Sequence, residues 1–155
     1  MSSAVELRLR ALNIMLPEAP APAANYVPYQ TAGDLVFVSG QLPMRDGAVA
    51  VKGRLGADVS LEQGVEAARL CMINILAQAK AACGGDLDRV TRVVKLTGFV
   101  NSTGDFTDQP KVVNGASDLM VEVFGDKGKH SRAAVSAASL PAGVAVEVEA
   151  VVEIS

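Results

Sequence analysis

The segment from Ser60 to Gly85 limits most narrowly what this chain can fold into. Ser60-Leu-Glu-Gln63 has the spacing of a capping box, in which the serine hydroxyl accepts from the backbone N–H three residues on and the glutamine side chain reaches back. Leu61, Val65, Ala68, Met72, Ile75, Ala79 and Ala82 then recur at the helical period, and Gly84-Gly85 supplies a left-handed exit. A helix this long with one apolar stripe needs an apolar surface to lie on.

The rest of the chain supplies that surface. Asp34 to Ser39 is β-branched and aromatic, and Asp46-Gly47 reads as a hairpin turn between it and Ala48 to Val51. Arg89 to Val100 is a Val- and Thr-rich strand in which Gly98 marks a bulge or a close backbone approach. A second helix starts near Asp108 with Pro110 in its first turn, carries Val112, Ala116, Leu119, Met120 and Val123 inward, and ends at Gly125. Arg132 to Ala138 and Val144 to Ile154 are the last strands, joined by the Pro-Gly turn Leu140 to Gly143. Before all of these, Ser2 to Leu16 is a weakly amphipathic arm or short helix with Leu7, Leu9, Leu12 and Ile14 among Arg8 and Arg10. Pro17, Pro20 and Pro22 stop it.

The expected class is therefore α+β in the order β-β-α-β-α-β-β, with strands antiparallel wherever a short turn joins them and both helices on one sheet face. The last strand shows what the other face carries. Val144, Val146 and Val148 point one way, and Ala145, Glu147, Glu149, Val151 and Glu153 point the other. That second face is mixed, which suits a sheet completed by closed symmetric assembly.

At 155 residues the chain is one domain, and folding buries roughly 70% of its extended surface, enough for a core without staples or metals. Only 4% of residues are aromatic, so the core is built from Ala, Val, Leu, Ile and Met. A net charge of −3 with scattered basic residues makes nucleic acid an improbable partner. Cys71 and Cys83 fall on one helix about 18 Å apart at the helical rise, too far to bridge within it, and read as buried thiols. One histidine and no clustered Cys or His argue against a zinc site. No cofactor or metal is expected. The absence of an 18-residue apolar run and of a signal-peptide pattern points to a cytoplasmic protein that does not enter a membrane.

Ser39-Gly40-Gln41 after an apolar strand, and Arg132 followed by Val135, Leu140-Pro141 and Val146-Glu-Val-Glu149, resemble the two signature regions of the RidA/YjgF family, a match that spans most of the chain. The resemblance implies residues 26–155 as the family domain behind an arm and linker, 1–25. It also implies a chorismate-mutase-like sheet, a homotrimer with inter-subunit clefts, and hydrolysis of reactive enamines or imines such as 2-aminoacrylate to 2-oxo acids and ammonia. Tyr26 stands where that family has a tyrosine lining the site, and Asn114 fits its asparagine. Ala134 stands where deaminase members often have cysteine, and the longer arm with Asn25-Tyr26-Val27-Pro28-Tyr29 marks a divergent branch.

Among candidate site residues Arg132 comes first. A guanidinium offers two parallel donors to a carboxylate, although a strand-edge arginine can equally pair with a glutamate. Glu147 is the candidate to position or deprotonate water if an enclosed cleft raises its pKa, with Glu149 two residues along on the same face. Tyr26 could close over a substrate, with Tyr29 as the competing choice. Ser39 is a hydrogen-bonding residue, since nothing is placed to activate it as a nucleophile. Asn114 could hold a carboxylate or water, or simply be solvated. His130 is the lone imidazole, on an expected loop. Two further readings stay open: a non-catalytic trimer that binds a small carboxylate metabolite, and an endoribonuclease or translation inhibitor.

Overall fold

The computed structural model describes residues 3–21 and 24–155; Pro22, expected to help stop the first element, and Ser2, the expected start of the arm, lie outside them. The first helix, α1, spans Ala4–Ala11 and is capped by Ser3, whose side chain accepts from the Glu6 N–H. The Asp88 carboxylate accepts from the N–H groups of Ala4 and Val5, both at 3.0 Å, and these bonds, that to Val5 foremost, hold its pKa below the ordinary value. Val5 and Leu9 are buried, whereas Leu7 is exposed. The arm is thus docked on the core.

Strands β1 (Tyr29–Ala32) and β2 (Leu35–Gln41) form the opening antiparallel pair across a Gly33-Asp34 turn, and Gly33 takes the positive φ the turn requires. This corrects the expected hairpin. Asp46-Gly47 instead turns a separate two-stranded ribbon, β3 (Met44–Arg45) with β4 (Ala48–Val49). The turn signal was right, but a two-residue turn says nothing about how far its strands extend, and β2 finds its partners elsewhere.

Helix α2 (Leu61–Ala82) begins in the capping box expected at Ser60. Its buried surface is wider than one stripe: Ala68, Met72, Ile75 and Ala79 are buried, but so are Gly64, Leu70, Cys71 and Leu76, while Leu61 is exposed. Strand β5 (Val90–Asn101) leads through α3 (Gln109–Phe124) to β6 (Ser131–Ala137). All five residues expected to face inward from α3 are fully buried. Strand β7 (Val146–Ile154) closes the chain.

The sheet order is β1-β2-β7-β5-β6. The short turn after β6 does not make a β6–β7 hairpin, contrary to the antiparallel pairing expected of it. Strand β6 follows β5 through a helical crossover and so pairs with it in parallel, and β7 returns on the far side of β5, antiparallel to both β5 and β2. The connection passes over the end of β5, where the Asn101 N–H donates to the Ala145 carbonyl and the Asn101 side chain to that of Val144. Ala145, expected on the mixed face, is consequently buried.

Helices α2 and α3 cover one face, on which Val146, Val148, Val152 and Leu96 have no exposure. Gly98 lies under α3 with the close approach its sequence position suggested: a Cβ there would sit 2.5 Å from Val113 Cγ2. The Gly98→Ala variant is expected to lose about 1–3 kcal/mol of stability in urea unfolding, and Val113→Ala in the same chain to restore part of it relative to Val113→Ala alone.

Candidate functional site

Arg132 is the second residue of β6, the last strand at the sheet edge, in register with Leu96 of β5, so its side chain lies on the helix-covered face. There it meets α3. Nη1 donates to Asn114 Oδ1 at 2.8 Å and to Ser117 Oγ at 3.1 Å, while Nη2 makes one long bond, 3.4 Å, to the Pro110 carbonyl. Pro110, Asn114 and Ser117 stand at helical spacing on one face of α3, which is why one guanidinium reaches all three. Both Nη1 hydrogens are therefore used. The glutamate partner of the simpler reading is absent: the ion pairs among the described residues all involve other side chains. Among the described residues Nε–H donates to no acceptor and Nη2 keeps a second hydrogen, and the side-on Nε–Nη2 edge of a guanidinium is the fork that matches a carboxylate.

A second cluster lies on the opposite face. Strand β2 slips one residue against β7 between Val38 and Gln41, so Ser39 and Gly40 form a bulge beside Glu147. Gly40 leaves room for the Glu147 carboxylate, since a Cβ there would lie 2.7 Å from Glu147 Oε2 and the side chain would have to move aside. Glu147 is half-buried and pairs with Phe99 of β5, on the face away from the helices. Burial raises its pKa above the ordinary carboxylate value, and the negative charge of Glu149 adds to the effect. Tyr26, Phe37, Ser39 and Glu149 line an open cavity of about 480 Å³ on this face. The Ser39 hydroxyl donates to the Val27 carbonyl at 2.8 Å and pins the segment that carries Tyr26. Tyr26 is 65% exposed in this cavity, whereas Tyr29 packs against the core.

The structure thus brings together Arg132 with Asn114, and Tyr26 with Ser39 near the two glutamates, but within one protomer Arg132 and Glu147 occupy opposite faces of the sheet. Sequence reading passed over Ser117, although it stands one turn beyond Asn114 on the same helix face; the signal was available once Asn114 was singled out. His130 lies on the segment between α3 and β6, with its ring against Ser117. Cys71 is buried, its thiol 3.5 Å from the Val146 carbonyl, and burial pushes its pKa well up. Among the described residues no three His, Cys, Asp or Glu side chains converge as metal ligands would.

Comparison with known proteins identifies relatives along nearly the whole chain. The family model described as “YjgF/chorismate_mutase-like, putative endoribonuclease” matches residues 6–153. Protein TCP17 of Trypanosoma cruzi is 51% identical over 155 residues, covering 99% of this chain and 96% of that one. The crystal structure of Atu1372, a protein of unknown function from Agrobacterium tumefaciens, is 50% identical with a TM-score of 0.90, covering 97% of this chain and 91% of that one. The E. coli YjgF gene product is 27% identical with a TM-score of 0.63, covering 88% of this chain and 93% of that one. The fold is shared throughout, and the geometry here follows Atu1372 more closely than YjgF.

The raised pKa of Glu147 has a measurable consequence. The folded chain holds that proton more tightly than the unfolded one, so stability falls as pH rises from the ordinary value of 4.5 through the raised one. Glu147→Gln is expected to raise the melting temperature at pH 7, by on the order of 1–2 °C because a half-exposed carboxylate is screened, and to lose that advantage by about pH 4. Melting curves of both proteins across this range check it.

Proposed function

Since the chain belongs to the YjgF/chorismate mutase-like family, we propose that it hydrolyses small enamine or imine intermediates bearing a carboxylate, such as 2-aminoacrylate, to 2-oxo acids and ammonia. The observation that carries this reading is the guanidinium of Arg132, held by the neutral partners Asn114, Ser117 and Pro110 and in no ion pair among the described residues, with its Nε–Nη2 edge as a paired donor. An anionic side chain on that guanidinium would compete with the substrate; Asn114 and Ser117 hold it without neutralising it.

A molecule held by Arg132 cannot also meet Glu147 of the same protomer, so the reading requires assembly. We infer a closed trimer in which the uncovered sheet faces turn inward and the Arg132 edge of one copy abuts the Tyr26, Ser39 and Glu147 cluster of the next. Two features of the protomer support it. Among the described residues the outer edge of β6 carries no partner strand, and the uncovered face exposes Phe37 and Val135 at 45% and 44%. In such a cleft Arg132 orients the carboxylate, and Tyr26 covers the substrate. Glu147 takes a proton from water as its oxygen bonds to the imine carbon and passes it to nitrogen, giving the carbinolamine. It then takes the remaining hydroxyl proton and delivers that to nitrogen as well, so that the C=O bond forms as the C–N bond breaks and ammonia leaves. An enamine first gains a proton on carbon to become the imine. The chemistry is undemanding, because orientation of water against an already electrophilic carbon accounts for most of the acceleration.

A second reading shares the same arginine: a trimer that binds small carboxylates and regulates a partner without turnover. It is favoured by the completeness of the Arg132 fork for binding alone. The discriminating measurement is release of ammonia or 2-oxo acid from 2-aminoacrylate generated in situ, compared with the spontaneous rate. Arg132→Ala, and equally Arg132→Lys, which cannot reproduce the fork, are expected to lower kcat/KM on the order of a hundredfold while the melting temperature is retained. No acceleration by the wild type, with 2-oxobutyrate still bound, would leave the binding protein. Arg132-dependent cleavage of RNA by a clean preparation would replace both readings with the ribonuclease one.

A further inference from the structure

Behind the open edge of Arg132, a row of hydrogen bonds runs from Nη1 back into the protomer. Nη1 donates to Ser117 Oγ at 3.1 Å. Ser117 Oγ lies 2.9 Å from His130 Nε2, and His130 Nδ1 lies 2.6 Å from the Gly128 carbonyl oxygen. A carbonyl only accepts, so Nδ1 bears a proton. In the neutral ring Nε2 is then an acceptor, and it takes the hydroxyl proton of Ser117. That leaves the serine lone pairs facing Arg132. Each member of the row has one role, and the direction runs from Arg132 through Ser117 and His130 to Gly128.

The far end of the row is anchored by packing. Gly128 is buried against the carbonyl of Met120, so closely that a Cβ at this position would collide with that oxygen. Gly125, at φ 65° and ψ −139°, turns the chain out of α3 so that Gly128 and His130 come back alongside it. Met120, Ser117, Asn114 and Pro110 all belong to α3. Helix, loop and strand edge are therefore joined through one side-chain row, whose free end is the guanidinium.

We propose that Ser117 and His130 are positioning residues for Arg132, setting the rotation of its guanidinium so that the Nε–Nη2 edge is presented to a carboxylate. This rests on the carboxylate-binding reading of Arg132. With the serine oxygen in place, both Nη1 hydrogens are committed, one to Asn114 and one to Ser117, and the group has one orientation. Without it, one Nη1 hydrogen loses its acceptor, and the guanidinium can turn to offer Nη2 to Asn114, which removes half of the fork. His130 acts one step further back: by accepting the hydroxyl proton it keeps the serine oxygen an acceptor toward Arg132. A row of aligned hydrogen bonds also strengthens each member, so the effect at Arg132 exceeds that of an isolated serine.

The chain holds one histidine, so its imidazole nitrogen signals are read without ambiguity. In 15N-labelled protein the ring is expected to show a protonated Nδ1 and a bare, hydrogen-bonded Nε2. Addition of 2-oxobutyrate should shift the Nε2 resonance although the ligand does not touch the ring. Ser117→Ala should abolish that shift, weaken 2-oxobutyrate binding roughly tenfold by calorimetry, and raise KM for the imine far more than it lowers kcat. Ser117→Thr, which keeps the hydroxyl, should restore most of the affinity, and His130→Gln, whose amide oxygen can stand in for Nε2, should do better than His130→Phe. A folded Ser117→Ala protein with wild-type affinity, or a ring protonated on Nε2 alone, would overturn the proposal. If the wild type does not bind 2-oxobutyrate, the carboxylate reading of Arg132 fails. The row is then judged on the unliganded protein: an Nε2 resonance identical in wild type, Ser117→Ala and Arg132→Gln would show that it does not exist.

Discussion

The pairing of β7 with both β2 and β5 is the interaction on which the rest of this molecule depends. Its inward residues, Val146, Val148, Ala150 and Val152, form the floor beneath the helices, and its hydrogen bonds join the two parts of the sheet. Nothing earlier in the chain can supply that join, because β2 and β5 do not touch each other along the sheet. The central strand is also the last to be made. Folding must therefore close long loops before the core is complete, which places this topology among slower-forming mixed folds.

The same strand distributes the chemistry. Period-two alternation sends its valines under α2 and α3 and Glu147 and Glu149 to the other face, while β6, on the far side of β5, presents Arg132 on the helix side. A single protomer thus separates Arg132, proposed to hold a carboxylate, from Glu147, proposed to move a proton. The bulge at Ser39 and Gly40 sharpens the second half of the arrangement. It bends β2 toward Glu147 and, through the Ser39 hydroxyl, fixes the Val27 carbonyl and with it the segment bearing Tyr26. In Ser39-Gly40 the hydroxyl holds the incoming chain, and the residue without a side chain leaves space that the Glu147 carboxylate occupies.

Helix α3 does comparable work for the first half. Its buried face, from Val112 to Val123, is apolar and ordinary, while Pro110, Asn114 and Ser117 on the flank turn toward β6. The glycines around it have distinct duties. Gly98 lets the helix approach β5, and Gly125 turns the chain so that His130 meets the helix it has just left. Packing and site are thus set by the same few close contacts, and a change that moved α3 outward would disturb Arg132 without touching it.

Local signals made much of this legible beforehand. The capping box at Ser60, the Pro110 start and Gly125 stop of α3, and the alternation of β7 each act within a few residues, so the chain itself determined where the helices lie and which side of α3 is buried, whereas the burial of α2 spread beyond its one stripe because sheet, α3 and loops enclose it. Signature residues placed Arg132, Asn114, Glu147, Ser39 and Tyr26 among the candidates, but spacing along the chain could not say which of them share a space. Pairing is non-local. A Pro-Gly turn after β6 looks the same whether the next strand pairs with β6 or passes over β5, and the Asp46-Gly47 turn looks the same in a short ribbon as in a long hairpin. The tertiary structure decided that β6 runs parallel to β5, that Arg132 and Glu147 face opposite ways, and that Ser117 and His130 stand behind the arginine. Those relations arise from the order in which strands meet across the sheet, and that order is written only in contacts between residues far apart in the chain.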